Sequence, residues 1–161
     1  MTAYVAVSGP ADATDEERAV AEMVGRLLAE SGAVLLCGGL GGVMDAAARG
    51  AREAGGVAIG VLPGDSRAGS SPHLSAAIPT GMGEGRNALL VRAADVVIAI
   101  SGEFGTLSEI ALSLKMGKPV VGLQTWELRK GDRASDAIIR AGSAEQAVEL
   151  ALGAVGGGEP V

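Results

Sequence analysis

The sequence is poor in residues on which several classes of protein depend. Aromatic residues make up 2% of the 161 positions, and there is one cysteine and one histidine. The lone Cys37 cannot form a disulfide within the chain, which is typical of a reducing compartment. His73 has no second histidine or cysteine nearby, so the sequence predicts no metal site. With so few rings, stacking of bases on an aromatic platform is not expected as a mode of binding.

Positive charge and long apolar runs are also scarce. The 13 Lys and Arg stand against 19 Asp and Glu, which gives a net charge of −6, and the basic residues form no run. Nucleic acids and membrane surfaces are themselves anionic, so neither is expected as a partner. No apolar stretch reaches the roughly 18 residues that a membrane span requires, and no charged leader precedes the first strand-like run. We therefore expect a soluble, cytoplasmic protein.

Glycine, by contrast, is abundant, with 26 residues. The glycines separate short apolar runs from helical patterns, and this alternation predicts an α/β fold with a Rossmann-like, doubly wound parallel sheet. We expect one domain over residues 1–155 and a frayed tail over residues 156–161, with a long polar loop over residues 62–75. The predicted strands are 4–7, 34–37, 57–61, 76–79, 96–100 and 120–123. The first predicted helix begins after Thr14, the next three span 43–54, 84–93 and about 107–114, and the last begins after Ser143.

Two glycine-rich loops follow a strand and open a helix, at residues 37–45 and 101–109. Glycine lets the backbone approach an anion closely, and the free N–H groups and dipole of a helix N-terminus favour phosphate. The carboxyl ends of parallel strands meet at one edge of a sheet, so the end of the first strand should lie beside both loops. The candidate ligand-binding residues are Ser8, Gly9, Gly38, Gly39, Gly41, Gly42, Ser101, Gly102, Gly105 and Thr106.

The loops do not match the best-known nucleotide motifs. The glycines at 39 and 41 lack a third glycine at position 44, the loop follows the second strand rather than the first, and there is no Walker motif. We therefore predict neither NAD binding nor ATP hydrolysis, and no resident cofactor. Glycines also serve as plain helix caps and turns, but two such loops at strand-to-helix junctions favour a small phosphorylated, nucleotide-like ligand.

At these two loops the sequence resembles the LOG family, the cytokinin-activating phosphoribohydrolases often described as lysine decarboxylases. Residues 101–109, Ser-Gly-Glu-Phe-Gly-Thr-Leu-Ser-Glu, are similar to the family's Pro-Gly-Gly-x-Gly-Thr-x-x-Glu, and residues 38–44 are similar to its Gly-Gly-Gly-x-x-Gly-x-Met. Arg86 and Arg92 precede the strand that leads into the second loop, where the family also has an arginine. The resemblance covers about residues 5–123.

The departures from the family pattern point to a smaller branch. Ser101 replaces the proline, Glu103 replaces the second glycine, and Arg86-Asn87 replaces an Arg-Lys pair. The short length of the chain and the local sequences around Asn87 and Glu109 are more similar to the branch that includes molybdenum-cofactor carrier proteins. None of the three lysines lies where a pyridoxal Schiff base would be expected, so lysine decarboxylation is not predicted.

The resemblance implies two functions, and whether the protein is an enzyme stays open. As a phosphoribohydrolase, it would cleave the N-glycosidic bond of a nucleoside 5′-monophosphate, with Glu109 orienting or deprotonating water and Arg86 stabilising negative charge. As a carrier or sensor, it would bind and release a phosphorylated cofactor such as molybdenum cofactor. Either residue also has an ordinary alternative role, Glu109 as a carboxylate that complements the helix dipole and Arg86 as a surface ion-pair partner. The resemblance further implies a homodimer or homotetramer.

Overall fold

The computed structural model describes residues 1–156 as one α/β domain. Its elements in chain order are β1 (Tyr4–Ser8), α1 (Asp15–Glu30), β2 (Val34–Cys37), α2 (Val43–Glu53), β3 (Val57–Leu62), β4 (Ala76–Pro79), a 3-10 turn (Gly83–Gly85), α3 (Arg86–Ala93), β5 (Val96–Ile100), α4 (Phe104–Lys115), β6 (Val120–Leu123), β7 (Arg129–Lys130), β8 (Arg133–Ala134), β9 (Ile138–Arg140) and α5 (Ala144–Gly156). The predicted Rossmann-like parallel sheet is confirmed.

The strand order explains where a ligand can bind. Seven parallel strands run in the order β4-β3-β2-β1-β5-β6-β9, with Val5 of β1 opposite Leu35 on one side and Val96 on the other. After β1 the chain builds the sheet in one direction, and after β5 it builds in the other. The loops after β1 and β5 therefore diverge at this switch point, which opens a crevice at the carboxyl ends of the strands.

Helices cover both faces of the sheet, as a parallel sheet with apolar strands requires. Helices α1, α2 and α5 pack on one face against side chains such as Val5 and Val7. Helices α3 and α4 pack on the other face, where Ala6 and Val97 point. Every residue of β5 is buried, which fits its uninterrupted apolar sequence. The core is built almost entirely from Val, Ile, Leu and Ala.

Local signals place the helix boundaries well. The Thr14 side chain accepts from the N–H of Glu17, whose carboxylate accepts from the Thr14 N–H, so a capping box stands at the predicted start of α1. At the predicted start of α5 only half of such a box forms. The Ser143 hydroxyl accepts from the Gln146 N–H, but the Gln146 side chain accepts from Gly142 instead.

The structure differs from the sequence prediction at the sheet edge and the termini of two helices. The edge strand β9 and the hairpin β7–β8 were not predicted, because segments of two or three residues carry too little alternation to be recognised. Helix α3 begins at Arg86, since Gly83 and Gly85 form a 3-10 turn. Gly156 belongs to α5 rather than to the predicted tail, and residues 157–161 lie outside the described part of the chain.

The small residues of α2 pack within the chain. Ala47, Ala48, Gly50 and Ala51 are buried where α2 packs against α1 and the sheet. The number of subunits stays a prediction. No helix within residues 1–156 combines the length and the apolar character needed to cross a membrane.

Candidate functional site

A cavity of about 570 Å³ lies at the carboxyl ends of β1, β2 and β5. Three loops meet there, which we call the β1 loop (residues 9–12), the β2 loop (residues 38–42) and the β5 loop (residues 101–103). The first turn of α4 and the start of α3 complete the wall. The volume is in the range that accommodates a small molecule.

Most of the predicted site residues come together at this cavity. Those that line it are Ser8, Gly9, Gly38, Arg86, Gly105, Thr106 and Glu109. The others lie in the same loops without lining the cavity and are Gly39, Gly41, Gly42, Ser101 and Gly102. Arg92, the second arginine of the resemblance, is exposed in the last turn of α3 and does not line the cavity.

Gly42 shapes the site without facing it. Its backbone has φ +63° and ψ −128°, a conformation that is essentially restricted to glycine. A side chain at this position would also overlap with the carbonyl oxygens of Pro10 and Ala11. The next residue, Val43, donates its N–H to the Pro10 carbonyl at 3.0 Å. The β2 loop is therefore locked against the β1 loop, and their relative position is fixed before any ligand binds.

Glu109 lies in the cavity wall on α4 and is only 7% exposed. The hydroxyl of Ser8, at the end of β1, donates to its carboxylate. Burial raises the pKa of Glu109, and the Ser8 hydrogen bond and the positive charge of Arg86 only partly offset this effect. The two residues join α4 to β1 across the switch point and place a carboxyl group inside the site.

Arg86 is the only basic residue among the described residues that line the cavity. A Cβ on Gly38 would overlap with its Nη1 atom and lie 2.7 Å from the Met44 sulfur, so the glycine makes room for the guanidinium. The Nε of Arg86 is buried and has no hydrogen-bond partner within residues 1–156. Buried donors in folded proteins are nearly always paired. As the only positive charge among the described lining residues, the Arg86 side chain is placed to receive an anion.

The β5 loop explains why serine replaces the family's proline at position 101. Ser101 has φ +51°, whereas the proline ring fixes φ near −65°. The loop conformation seen here is thus incompatible with proline. It is stabilised by the Ser101 N–H, which donates to the Leu123 carbonyl at 2.9 Å, and by Thr125, whose hydroxyl donates to the Ser101 carbonyl.

Asp45 serves a neighbouring loop rather than the cavity. Its carboxylate accepts hydrogen bonds from the Ser71 hydroxyl and from Nδ1 of His73, at 2.5 and 2.9 Å. The Ser71 N–H donates to the Gly39 carbonyl at 2.9 Å. The long loop between β3 and β4 is thereby fastened to the back of the β2 loop.

The possible metal ligands and the one thiol are distributed as follows within the described residues. Within residues 1–156, no three His, Cys, Asp or Glu side chains are grouped so that they could hold a metal ion. Cys37 is fully buried, and burial raises its pKa to about 12, so its thiol stays protonated near neutral pH.

Several lining residues were not predicted as site residues from the sequence. Asp12, Glu84 and Glu103 place carboxylates at the cavity, and Phe104 lines it with an exposed ring. Asn87 lines the cavity as well, and its side chain donates to the Ser108 hydroxyl at 3.0 Å, which joins α3 to α4. The one signal in the sequence that could have predicted Glu84 as a lining residue is its position two residues before Arg86.

A sequence model of the SLOG cluster4 family matches residues 2–151. The chain belongs to this family. The expected LOG-like branch is thus confirmed. As a SLOG cluster4 protein, the chain has relatives over nearly its whole length.

Three proteins illustrate this similarity. An uncharacterized protein from Archaeoglobus fulgidus is 41% identical over 120 residues, which cover 74% of this chain and 79% of that protein. The molybdenum cofactor binding protein from Rippkaea orientalis is 37% identical, with a TM-score of 0.85 over 93% of this chain and 95% of the other. The molybdenum cofactor carrier protein from Chlamydomonas reinhardtii is 32% identical, with a TM-score of 0.84 over 97% and 99% of the two chains.

Glu109→Gln is expected to stabilise this SLOG cluster4 protein near neutral pH. Because the pKa of Glu109 is raised above 4.5, its charged form destabilises the folded state once the pH exceeds the unfolded value. Glutamine keeps the acceptor for Ser8 and removes the charge, so the free energy of unfolding and Tm should both rise.

Thermal unfolding of both proteins over a pH series checks this prediction. The gain should shrink as the pH falls and vanish below the unfolded pKa, where both side chains are neutral. A lower Tm for the variant near neutral pH, or a gain that is equally large in acid, would contradict it.

Proposed function

We propose that this protein is a carrier that binds molybdenum cofactor, a pterin derivative ending in a phosphate, and releases it unchanged. The observation that supports this most is the combination of a preformed cavity with close likeness to two proteins whose names state molybdenum cofactor binding or carriage. Both likenesses extend over more than nine tenths of each chain. The ligand in this proposal is cargo, held by contacts that form and break.

The phosphate end of the ligand would lie against the first turn of α4 and beside Arg86. The first N–H groups of an α-helix have no partner within the helix, and at α4 those of Gly105 and Thr106 belong to residues that line the cavity. Arg86 supplies a planar fork of donors that suits phosphate. Glu109 stands nearby as a carboxylate, so phosphate binding is expected to favour its protonated form.

Hydrolysis of nucleoside monophosphates is the second candidate, and the position of Glu109 is the observation that favours it. A buried carboxyl group of raised pKa beside an arginine is a common arrangement for general acid–base work. Against this, the Glu109 carboxylate already accepts the Ser8 hydroxyl, and positions 87 and 103 depart from the hydrolase pattern. We therefore place the carrier first.

Cofactor retention tests the proposal. The purified protein is incubated without oxygen with molybdenum cofactor released from a molybdoenzyme and then passed through a desalting column. Molybdenum and pterin are measured in the protein fraction, and transfer to a cofactor-free molybdoenzyme is followed by its recovered activity. AMP and other nucleoside monophosphates are incubated in parallel, with chromatography for free base.

The carrier proposal expects retention of molybdenum and pterin in equal amounts, transfer to the acceptor enzyme, and no release of base. Arg92→Ala serves as the matched control because it removes an arginine of the same helix away from the cavity. Release of base from a nucleotide, lost in Glu109→Gln, together with no retention of cofactor, would overturn the carrier and establish the hydrolase.

A further inference from the structure

Phe104 is an unusual feature in a chain with so few aromatic residues. It is the first residue of α4, it lines the cavity, and 75% of its surface is exposed. Single exposed apolar side chains are common on protein surfaces. This one differs because it stands at the mouth of the site, next to the N–H groups that are proposed to hold phosphate.

The Phe104 ring rests on Trp126, the only tryptophan of the chain. Their centroids are 5.7 Å apart and their planes are inclined by 36°, which is within the range of a favourable aromatic pair. The indole Nε1 donates to the carbonyl of Glu103 at 3.2 Å. The tryptophan therefore supports the ring and the residue before it.

The segment that carries Trp126 is itself held in place from two sides. Thr125 donates its hydroxyl to the Ser101 carbonyl, which ties the segment to the β5 loop. From β9, Arg140 donates to the carbonyls of Trp126 and Thr125 at 2.8 and 3.4 Å. Hydrogen bonds thus hold the aromatic pair in place from two sides, and the Phe104 ring is left exposed. The position of the pair is set before a ligand arrives.

The charges around the cavity add a second observation. Asp12, Glu84 and Glu103 are exposed carboxylates that line it. Carboxylates repel a phosphate and accept from N–H groups, so these three suit a part of the ligand that carries N–H donors. Glu103 adjoins Phe104 in sequence, and its backbone is fastened to Trp126. Of the three residues, it is therefore the one that is tied to the aromatic pair.

We propose that Phe104 and Glu103 form a subsite for the flat 2-amino-4-oxo heterocycle of a phosphorylated ligand, in which Phe104 stacks on the ring and Glu103 accepts from its amino and ring N–H groups. Pterins and guanine share this donor edge, and adenine lacks it. The subsite deepens the proposed function, on which it rests for the identity of the cargo. It also gives a reason for the glutamate that interrupts the family's glycine motif.

Calorimetric titrations with GMP, IMP and inorganic phosphate test the subsite, since GMP and IMP differ only in the 2-amino group. Phe104→Ala should weaken GMP binding by about 5- to 150-fold, the range for one stacked base, and leave inorganic phosphate within about twofold. Phe104→Tyr should bind GMP as the wild type does. Glu103→Gln should lower GMP affinity about tenfold, to the level of IMP, because one bidentate pair carries a discrimination of that order.

Each outcome bears on one proposal separately. Equal weakening of GMP and inorganic phosphate by Phe104→Ala would overturn the subsite, because the ring would then only shape the phosphate loop. Absence of GMP binding, or no preference for GMP over IMP in the wild type, would overturn it as well.

If the wild type prefers GMP through Glu103 but retains no molybdenum cofactor, the subsite stands and the carrier is wrong. If both variants retain molybdenum cofactor and bind GMP unchanged, the carrier stands and the subsite is wrong.

Discussion

Replacement of Arg86 by alanine is expected to weaken binding of a phosphorylated ligand by roughly 30- to 150-fold, or about 2–3 kcal/mol. Arg86 is the only basic residue that lines the cavity within the described part of the chain. A charge-assisted hydrogen bond to phosphate accounts for an effect of this size. Calorimetric titration with molybdenum cofactor, or with inorganic phosphate as the simpler probe, measures it.

Two further variants separate the guanidinium's position from its charge. Arg86→Lys keeps the charge without the planar fork and should recover only part of the affinity. Gly38→Ala leaves Arg86 in the chain but would push its guanidinium aside, because the new Cβ overlaps with Nη1. It should therefore weaken binding with little change in Tm. Full affinity in both Arg86→Ala and Gly38→Ala would show that the anion binds elsewhere.

Gly42→Ala is expected to destabilise the protein by about 3–4 kcal/mol, which lowers Tm by roughly 6–16 °C for a chain of this length. The backbone at Gly42 has φ +63°, and a methyl group there would collide with the carbonyl oxygens of Pro10 and Ala11. Main-chain atoms cannot move away as the tip of a side chain can, so the β1 and β2 loops would have to separate. Thermal and urea unfolding measure the loss.

Gly41→Ala is the matched control from the same loop. A Cβ at this position lies 3.5 Å from the Ala11 carbonyl oxygen, which is an ordinary contact, and the effect should stay within about 0.5 kcal/mol. Comparable losses in the two variants would mean that the loop needs glycine throughout, rather than at one residue of special backbone geometry.

Much of the fold could be predicted from the sequence because its signals are local and regular. Apolar runs such as residues 96–100 have the pattern of a strand buried on both faces, and Thr14 with Glu17 marks a helix start. The hairpin β7–β8 and the edge strand β9 could not be predicted, because segments of two or three residues pair only in a tertiary context. The direction in which α2 buries its alanines is likewise a property of packing rather than of composition.

The site was predictable as a set of loops but not as a set of contacts. The glycine pattern and the rule for parallel sheets indicate that residues 8, 38 and 105 share one edge. That Gly38 makes room for Arg86, or that Ser8 bonds to Glu109, depends on distances between residues far apart in sequence. The scarcity of aromatic residues argued against an aromatic platform, and the pairing of Phe104 with Trp126 could not be predicted because nothing in the sequence brings the two rings together.

A crystal structure of the protein loaded with molybdenum cofactor, with anomalous scattering to locate the metal, would show whether the cavity holds the cargo. We expect the phosphate within hydrogen-bond distance, about 2.7–3.2 Å, of the Arg86 guanidinium and of N–H groups at the start of α4. The pterin should lie on Phe104. Cofactor bound outside the cavity, or bound in it with Arg86 unpartnered, would show that the carrier site is wrong.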